Sequence, residues 1–493
     1  MSPFYTTSDN LALLPAFMLA GFGCAILLIE FLLGGRKPVQ VRQIVLALSL
    51  VGLGATAWTL VLQMSALGNG AERLQALGGT LSIDGFALFF NWIFLISSVV
   101  VVLISYRFLE IEGEQHAEYY GLILLAQCGM YFLAAGTDLV TIFVGLELMA
   151  ICFYVLVGFL RRETRSNEAA MKYFLLGVFS SAILAYGFSL LFGIAASTRL
   201  ADITQAIQTR SARDPLVLLA LGTTAAGVLF KISAVPFHMW APDAYEGAPT
   251  PVTAYLSVGS KAASFALLLR LFIEPLASLR HAWQPMLIVV AVLSMTAGNL
   301  AAITQTNLKR LIAYSSISHA GYMLLGLVSG NATGLQGIAV YILVYTFTNL
   351  GALLVVSALR RKNLGSARED DLSDLTGLAR ENPAYAALMV IFLLSLAGLP
   401  PTAGFLGKYY IFLSLIETGH PVLAVIATLY VAVAVFYYFR IVKAMYMGVG
   451  ERTKFIASSL GQRVALAFTG AATLVIGIYP EPFLLFAGIS LLR

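Results

Sequence analysis

Charge is scarce in this chain. Only 11% of its 493 residues are Asp, Glu, Lys or Arg, while 59% are hydrophobic. A polypeptide so poor in charge cannot surround one core with a water-facing surface. The sequence also lacks the patterns that would place catalysis in the chain itself. It has no Gly-x-Gly-x-x-Gly turn, no phosphate-binding loop, no nucleophile elbow and no metal-ligating cluster. Its three cysteines, Cys24, Cys128 and Cys152, fall in apolar runs without ligand spacing. That excludes a zinc or iron–sulfur site built on sequence-local Cys/His pairs, and all three read as buried thiols. No basic tract with interleaved aromatics is present, so the net charge of +5 marks membrane-flanking Lys and Arg and not a nucleic-acid surface. The N-terminus, MSPFYTTSDNLALLPAF, lacks a positive leader region, so its first apolar run is expected to stay as a helix.

What is abundant is apolar sequence in membrane-length pieces. A bilayer core of about 30 Å needs roughly 20 apolar residues per helix. Runs bounded by charges, Gly/Pro or polar clusters number about fourteen: 10–34, 43–65, 83–106, 119–136, 139–160, 168–196, 216–240, 251–273, 284–304, 309–329, 335–359, 383–417, 421–447 and 464–490. The fold class is therefore an all-α polytopic membrane protein with about 14 transmembrane helices. The 31 Phe and 22 Tyr fit lipid-facing and interfacial surface. With the N-terminus outside, nineteen loop Lys and Arg fall inside, against six outside: Arg73, Arg199, Arg210, Arg213, Arg280 and Arg493. This bias sets the sidedness and, with an even helix count, returns both termini to the outer face.

Two runs are interrupted. Pro236 breaks 216–240 five residues after Lys231, and Leu399-Pro400-Pro401-Thr402-Ala403-Gly404 breaks 383–417 shortly before Lys408. Paired Pro/Gly interruptions at corresponding places point to inverted repeats with a site near the membrane midplane. The repeats would be helices 4–8 (119–274) and 9–13 (284–447), preceded by a three-helix segment (1–118) and followed by a C-terminal helix (448–493). Helices 7 and 12 are the broken ones.

Four ionisable residues lie deep in apolar runs: Glu147, Lys231, Lys261 and Lys408. An ammonium at the bilayer centre costs about 2.5–3.5 kcal/mol on insertion scales. The lysines stand away from expected helix ends, so snorkelling or a structural ion pair explains them less well than a functional role. Burial disfavours an ammonium and a nearby carboxylate favours it, so Glu147 can switch Lys231 between holding and releasing a proton. His319, among Ser315, Ser316 and Ser318, is a candidate relay between the halves, or a hydrogen-bonded structural group. His238, after the Pro236 break, sits on an inlet path or caps an interface. Glu30, Asp84, Lys172, Arg270 and Arg440 read as interfacial. The segment 360–382, RRKNLGSAREDDLSDLTGLAREN, reads as a solvated or subunit-contacting loop.

The stretch VPFHMWAPDAYEGAPTPVTA, flanked by Lys231 and Lys261, together with SLAGLPPTAGFLGKYYIF around Lys408 and the Glu147 helix, resembles the antiporter-like membrane subunits of respiratory complex I. Within that family the match is to the N-type branch of bacterial NADH–quinone oxidoreductases, related to mitochondrial subunit 2. The L-type branch ends in a long lateral helix for which 493 residues leave no room, and the M-type branch usually has Glu where this chain has Lys408. The resemblance implies two inverted five-helix bundles. It assigns Glu147 and Lys231 as a modulating pair, Lys261 as a connecting amine and Lys408 as the terminal proton carrier. No cofactor is expected in this chain; NADH, FMN, iron–sulfur clusters and quinone belong to partner subunits. Expected partners are the M-type antiporter-like subunit, small K-, J- and A-type subunits and the lipid of the bacterial cytoplasmic (inner) membrane. The function implied is proton translocation driven by redox chemistry elsewhere. Multi-subunit cation/proton antiporters share the helix 7–8 motif and are the alternative; a non-pumping scaffold would not need four buried charges.

Overall fold

Water is absent from a membrane core, so each backbone N–H and C=O must pair inside its own segment, and apolar sequence there folds as helix. The computed structural model describes residues 7–33, 38–68, 73–359, 370–448 and 458–488. In chain order the helices are α1 (Thr7–Leu33), α2 (Pro38–Gly68), α3 (Gly85–Glu112), α4 (Glu118–Ala135), α5 (Leu139–Val157), α6 (Thr164–Ala195), α7 (Leu200–Gln208), α8 (Pro215–Lys231), α9 (Trp240–Gly247), α10 (Thr250–Tyr255), α11 (Lys261–Ile273), α12 (Arg280–Thr304), α13 (Leu308–Ser329), α14 (Ala332–Ala358), α15 (Leu378–Glu381), α16 (Pro383–Ala397), α17 (Gly404–Glu417), α18 (Pro421–Met447), α19 (Leu460–Ile478) and α20 (Glu481–Gly488). An antiparallel pair, β1 (Leu74–Ala76) and β2 (Leu81–Ile83), precedes α3. Arg36, Lys37, Arg452, Lys454, Arg493 and the first part of the 360–382 loop lie outside the described residues.

Among the described residues, eleven helices are long and apolar enough to cross a membrane, counting Thr250–Ile273 as one. The chain is a polytopic membrane protein. The other three of the fourteen expected runs correspond to α4, of 18 residues, and to the two interrupted runs, whose pieces α8, α16 and α17 have 17, 15 and 14 residues. Burial divides the spans sharply. Thr250–Ile273 and α13 are each 94% buried within the chain and α14 is 100% buried, whereas α1 and α18 are 33% buried. The first group therefore forms the interior on which the rest is laid.

The first break begins earlier than the proline predicts. α8 ends at Lys231 itself, Ser233 takes a left-handed φ of 62°, and helix resumes only at Trp240. Lys231 is thus a helix-terminal residue, against the mid-helix position expected, yet it stays buried and cannot snorkel to water. The indole of Trp240 donates to Phe230 O at 2.9 Å, capping the broken end, and Val235 N donates to Ser294 Oγ of α12 at 2.9 Å. These contacts satisfy backbone groups that a break would otherwise leave bare. The second break runs from Gly398, at φ 84°, to Gly404, whose N–H donates to Ser395 Oγ at 3.0 Å. Between α10 and α11 the chain makes one π-helical stretch, Leu256–Ser260, just before Lys261; such widenings free local backbone geometry at functional sites.

Several expectations give way. Cys24 is exposed on α1, and only Cys128 and Cys152 are buried. Arg270, read as interfacial, lies near the end of α11 and is fully buried within the chain: it donates to Asp84 (2.9 Å), Glu274 (3.0 Å) and Ala134 O (2.7 Å) and lies over the Phe86 ring. Tyrosine is not chiefly surface either, since Tyr119, Tyr131, Tyr245, Tyr255, Tyr322, Tyr437 and Tyr438 are among the most buried large side chains. The last run divides into α19 and α20 at Tyr479-Pro480.

Candidate functional site

The four deep ionisable residues occupy two broken and two continuous segments. Glu147, on α5, is half-buried at the edge of an outward face formed by Val140, Val144, Ile151 and Val155. Its Oε1 is buried with no hydrogen-bond partner. The carboxylate is close enough to Lys231 to act on it electrostatically, but no salt bridge joins the two; Lys231 Nζ donates instead to Ser181 Oγ of α6 at 3.2 Å.

Lys261, 3% exposed, crosses from one half of the chain to the other. Its Nζ donates to Ser316 O of α13 at 2.6 Å and also to Ser316 Oγ. The same hydroxyl lies 3.4 Å from Tyr245 OH of α9. One residue earlier on α13, Ser315 Oγ meets Tyr438 OH of α18 at 2.5 Å. Tyr438 OH is 3.2 Å from His319 Nε2, and Tyr341 OH of α14 is 2.5 Å from Nδ1. His319 therefore has a hydroxyl on each ring nitrogen, and its electrostatic neighbours include both Lys261 and Lys408.

Beyond His319 a cavity of about 10 Å³, lined by His319, Tyr341, Ser395 and Leu396 among others, has the volume of roughly one water. Leu396 O accepts from Lys408 Nζ at 3.0 Å and Ala397 O does so at 2.7 Å. These carbonyls are left unpaired by helix because α16 stops at Ala397. The break thus creates the acceptors that hold Lys408, which is 4% exposed and sits 5.0 Å above the Tyr322 ring. Among the described residues neither Lys261 nor Lys408 has a carboxylate partner. Arg270 and Lys309, just as deeply buried, both do: Arg270 with Asp84 and Glu274, and Lys309 with Asp370 at 2.8 Å.

His238 is half-buried in the first break with Nδ1 unpartnered, and no hydrogen bond links it to Lys231 or His319. On the outer side of α9, Asp243 meets Lys172 (3.1 Å) and Arg310 (2.7 Å), and Glu246 meets Arg310 (3.0 Å), around a cavity of about 270 Å³. Sequence reasoning found the lysines, Glu147 and the serines of α13. It missed Tyr245, Tyr341 and Tyr438, whose one signal was polar aromatic groups inside apolar runs.

A family model described as the NADH:quinone oxidoreductase/Mrp antiporter transmembrane region matches residues 136–434. That model alone covers both readings the motifs allow. The chain is 62% identical over 494 aligned residues to NADH-quinone oxidoreductase subunit N 2 of Solibacter usitatus, covering 100% of this chain and 99% of the relative. This chain belongs to the N-subunit family of NADH-quinone oxidoreductases. A chain of respiratory complex I from Thermus thermophilus superposes on this N-type subunit with a TM-score of 0.80 at 33% identity, covering 96% and 99% of the two chains. A chain of the Mrp complex from Dietzia gives 0.82 over 98% and 97%, at 20% identity, a likeness of fold alone. Membership in the N family thus places this chain as a membrane subunit of a multi-subunit complex.

Proposed function

We propose that this N-type subunit, a proton-translocating membrane subunit of NADH-quinone oxidoreductase, carries its protons across the bacterial inner membrane along a line from Glu147 and Lys231 through Lys261, Ser316 and His319 to Lys408. The contrast between buried cations carries the reading. Arg270 and Lys309 are permanently compensated by carboxylates, as a structural charge must be. Lys261 and Lys408 have only neutral acceptors. Their charged forms are expensive and their neutral forms cheap, which suits amines that load and release a proton. Glu147 supplies an adjustable negative charge near Lys231, and its place beside an outward face suits control by a neighbouring subunit.

Tyr438 OH would join His319 to the α13 serines beside Lys261, and Tyr341 OH with one water in the small cavity would bridge His319 to the Lys408 end. The charged cup around Asp243 and Arg310 would serve as the inner mouth, with Tyr245 behind it touching Ser316. In this reading the N-terminus faces outside, the chain crosses fourteen times as two inverted five-helix repeats, and α8/α9 and α16/α17 are the broken crossings. Redox groups reside in partner chains, and the flanking membrane partners are M-type and small K-, J- and A-type subunits. Lys408→Glu and Lys408→Ala, compared for NADH-driven proton uptake in inside-out vesicles, test the terminal carrier. Glu, titratable, retains part of the pumping; equal loss in both variants would overturn that role.

A further inference from the structure

Far from the buried line, the end of α1, the start of α2 and the α3–α4 turn enclose a cavity of about 210 Å³ lined by Glu30, Arg42, Gln115 and His116 among others. One ligand atom each from Glu30, His116 and Glu118 lies within 4.8 Å of the other two. Neither carboxylate is paired with Lys or Arg among the described residues, and Glu118 Oε2 and Gln115 Oε1 are both buried without a hydrogen-bond partner. Two acids crowded together, one of them with an orphaned buried oxygen, are unfavourable without a counter-charge. We propose that Glu30, His116 and Glu118 form a divalent-cation site of the zinc class that ties α1 to α4.

The donor set decides the class of ion. One imidazole nitrogen and two carboxylates suit zinc, whereas magnesium and calcium take oxygen ligands alone. Zinc bonds of about 2.0–2.2 Å to N and O set neighbouring ligands roughly 3.4 Å apart in a tetrahedron, so the side chains close by about 1 Å on binding. His116 Nε2 stands 3.2 Å from Glu114 Oε2, and a carboxylate beside the ring of a ligating histidine orients it. The exposed imidazole gives the ion access from water, and the cavity has room for a water in the fourth position and for Gln115 behind it.

The test uses the intact purified complex, stripped with a chelator, incubated with zinc chloride, desalted and counted for bound metal. The wild-type complex should retain one zinc more than complexes carrying Glu118→Gln or His116→Ala. The wild-type minus variant X-ray absorption should show one imidazole with oxygen neighbours. His116→Ala alters an exposed ring, so it reports even where Glu118→Gln fails to assemble. Equal zinc counts in wild type and His116→Ala would overturn the site. Displacement of that zinc by equimolar magnesium would overturn its class.

Discussion

Ser316 offers the most quantitative test of the link between the two halves. Lys261 Nζ donates to its main-chain oxygen at 2.6 Å and to its hydroxyl, and Ser316→Ala removes only the second acceptor. A hydrogen bond to a charged group contributes about 1.5–3 kcal/mol. At about 1.36 kcal/mol per factor of ten, the charged form of Lys261 becomes some ten- to hundredfold harder to populate. NADH oxidation and proton uptake, measured together in inside-out vesicles at normal assembly, should both fall strongly, and Ser316→Thr, which keeps a hydroxyl, should recover much of both. Ser318→Ala is the control, because Ser318 holds Asn299 Nδ2 at 2.7 Å and not Lys261. Wild-type rates in Ser316→Ala would refute Lys261 as a proton-carrying link.

Three further outcomes follow from the packing and the ion pairs. Arg270→Met should cost about 3–5 kcal/mol, because Asp84 and Glu274 lose their buried partner; a thermal melt of the purified complex would show it, and an unchanged melt would contradict the knot as a structural element. Burial pushes the Asp84 acid up, but the Arg270 guanidinium outweighs it and holds the carboxyl below its ordinary value. Its contribution is therefore complete above about pH 4 and lost as pH falls further, so acid stability measured there should drop in wild type and flatten in Arg270→Met. Gly404→Ala would put a Cβ 1.7 Å from Ser395 O. The α16/α17 break must open, and pumping should be lost even where the subunit assembles, as proton uptake in vesicles would report.

The lysines were legible in the sequence because a charge inside an apolar run contradicts its surroundings, and the prolines because they cannot continue a helix. What lay beyond reach was set by partners distant in sequence. Arg270 falls near the end of a run, and nothing local shows that it is buried against Asp84, 186 residues away. Tyr341 and Tyr438 look like membrane-surface aromatics until α13 brings His319 between them. The end of α8 at Lys231 depends on Trp240 reaching back to Phe230 O, a contact that no periodicity encodes. The small elements β1 and β2 lie in a short connection where pattern is weak; α7, whose buried Leu200, Ile203 and Ile207 recur at helical spacing, was legible but is overshadowed by the membrane-length runs beside it, and the π-helical stretch before Lys261 has no composition of its own.

In the proposed mechanism protons pass along buried amines, and the nearby Glu147 carboxylate governs whether Lys231 holds or releases its proton. NADH oxidation and proton translocation, measured together in membranes carrying Lys231→Ala at wild-type assembly, test it most directly. Lys231 donates to Ser181 Oγ and feels the Glu147 carboxylate, so its removal leaves that acid without a switchable partner. The account predicts that both rates fall together, although this chain is proposed to bind neither NADH nor quinone, and that Glu147→Gln does the same. Wild-type values for both rates in Lys231→Ala would contradict the account.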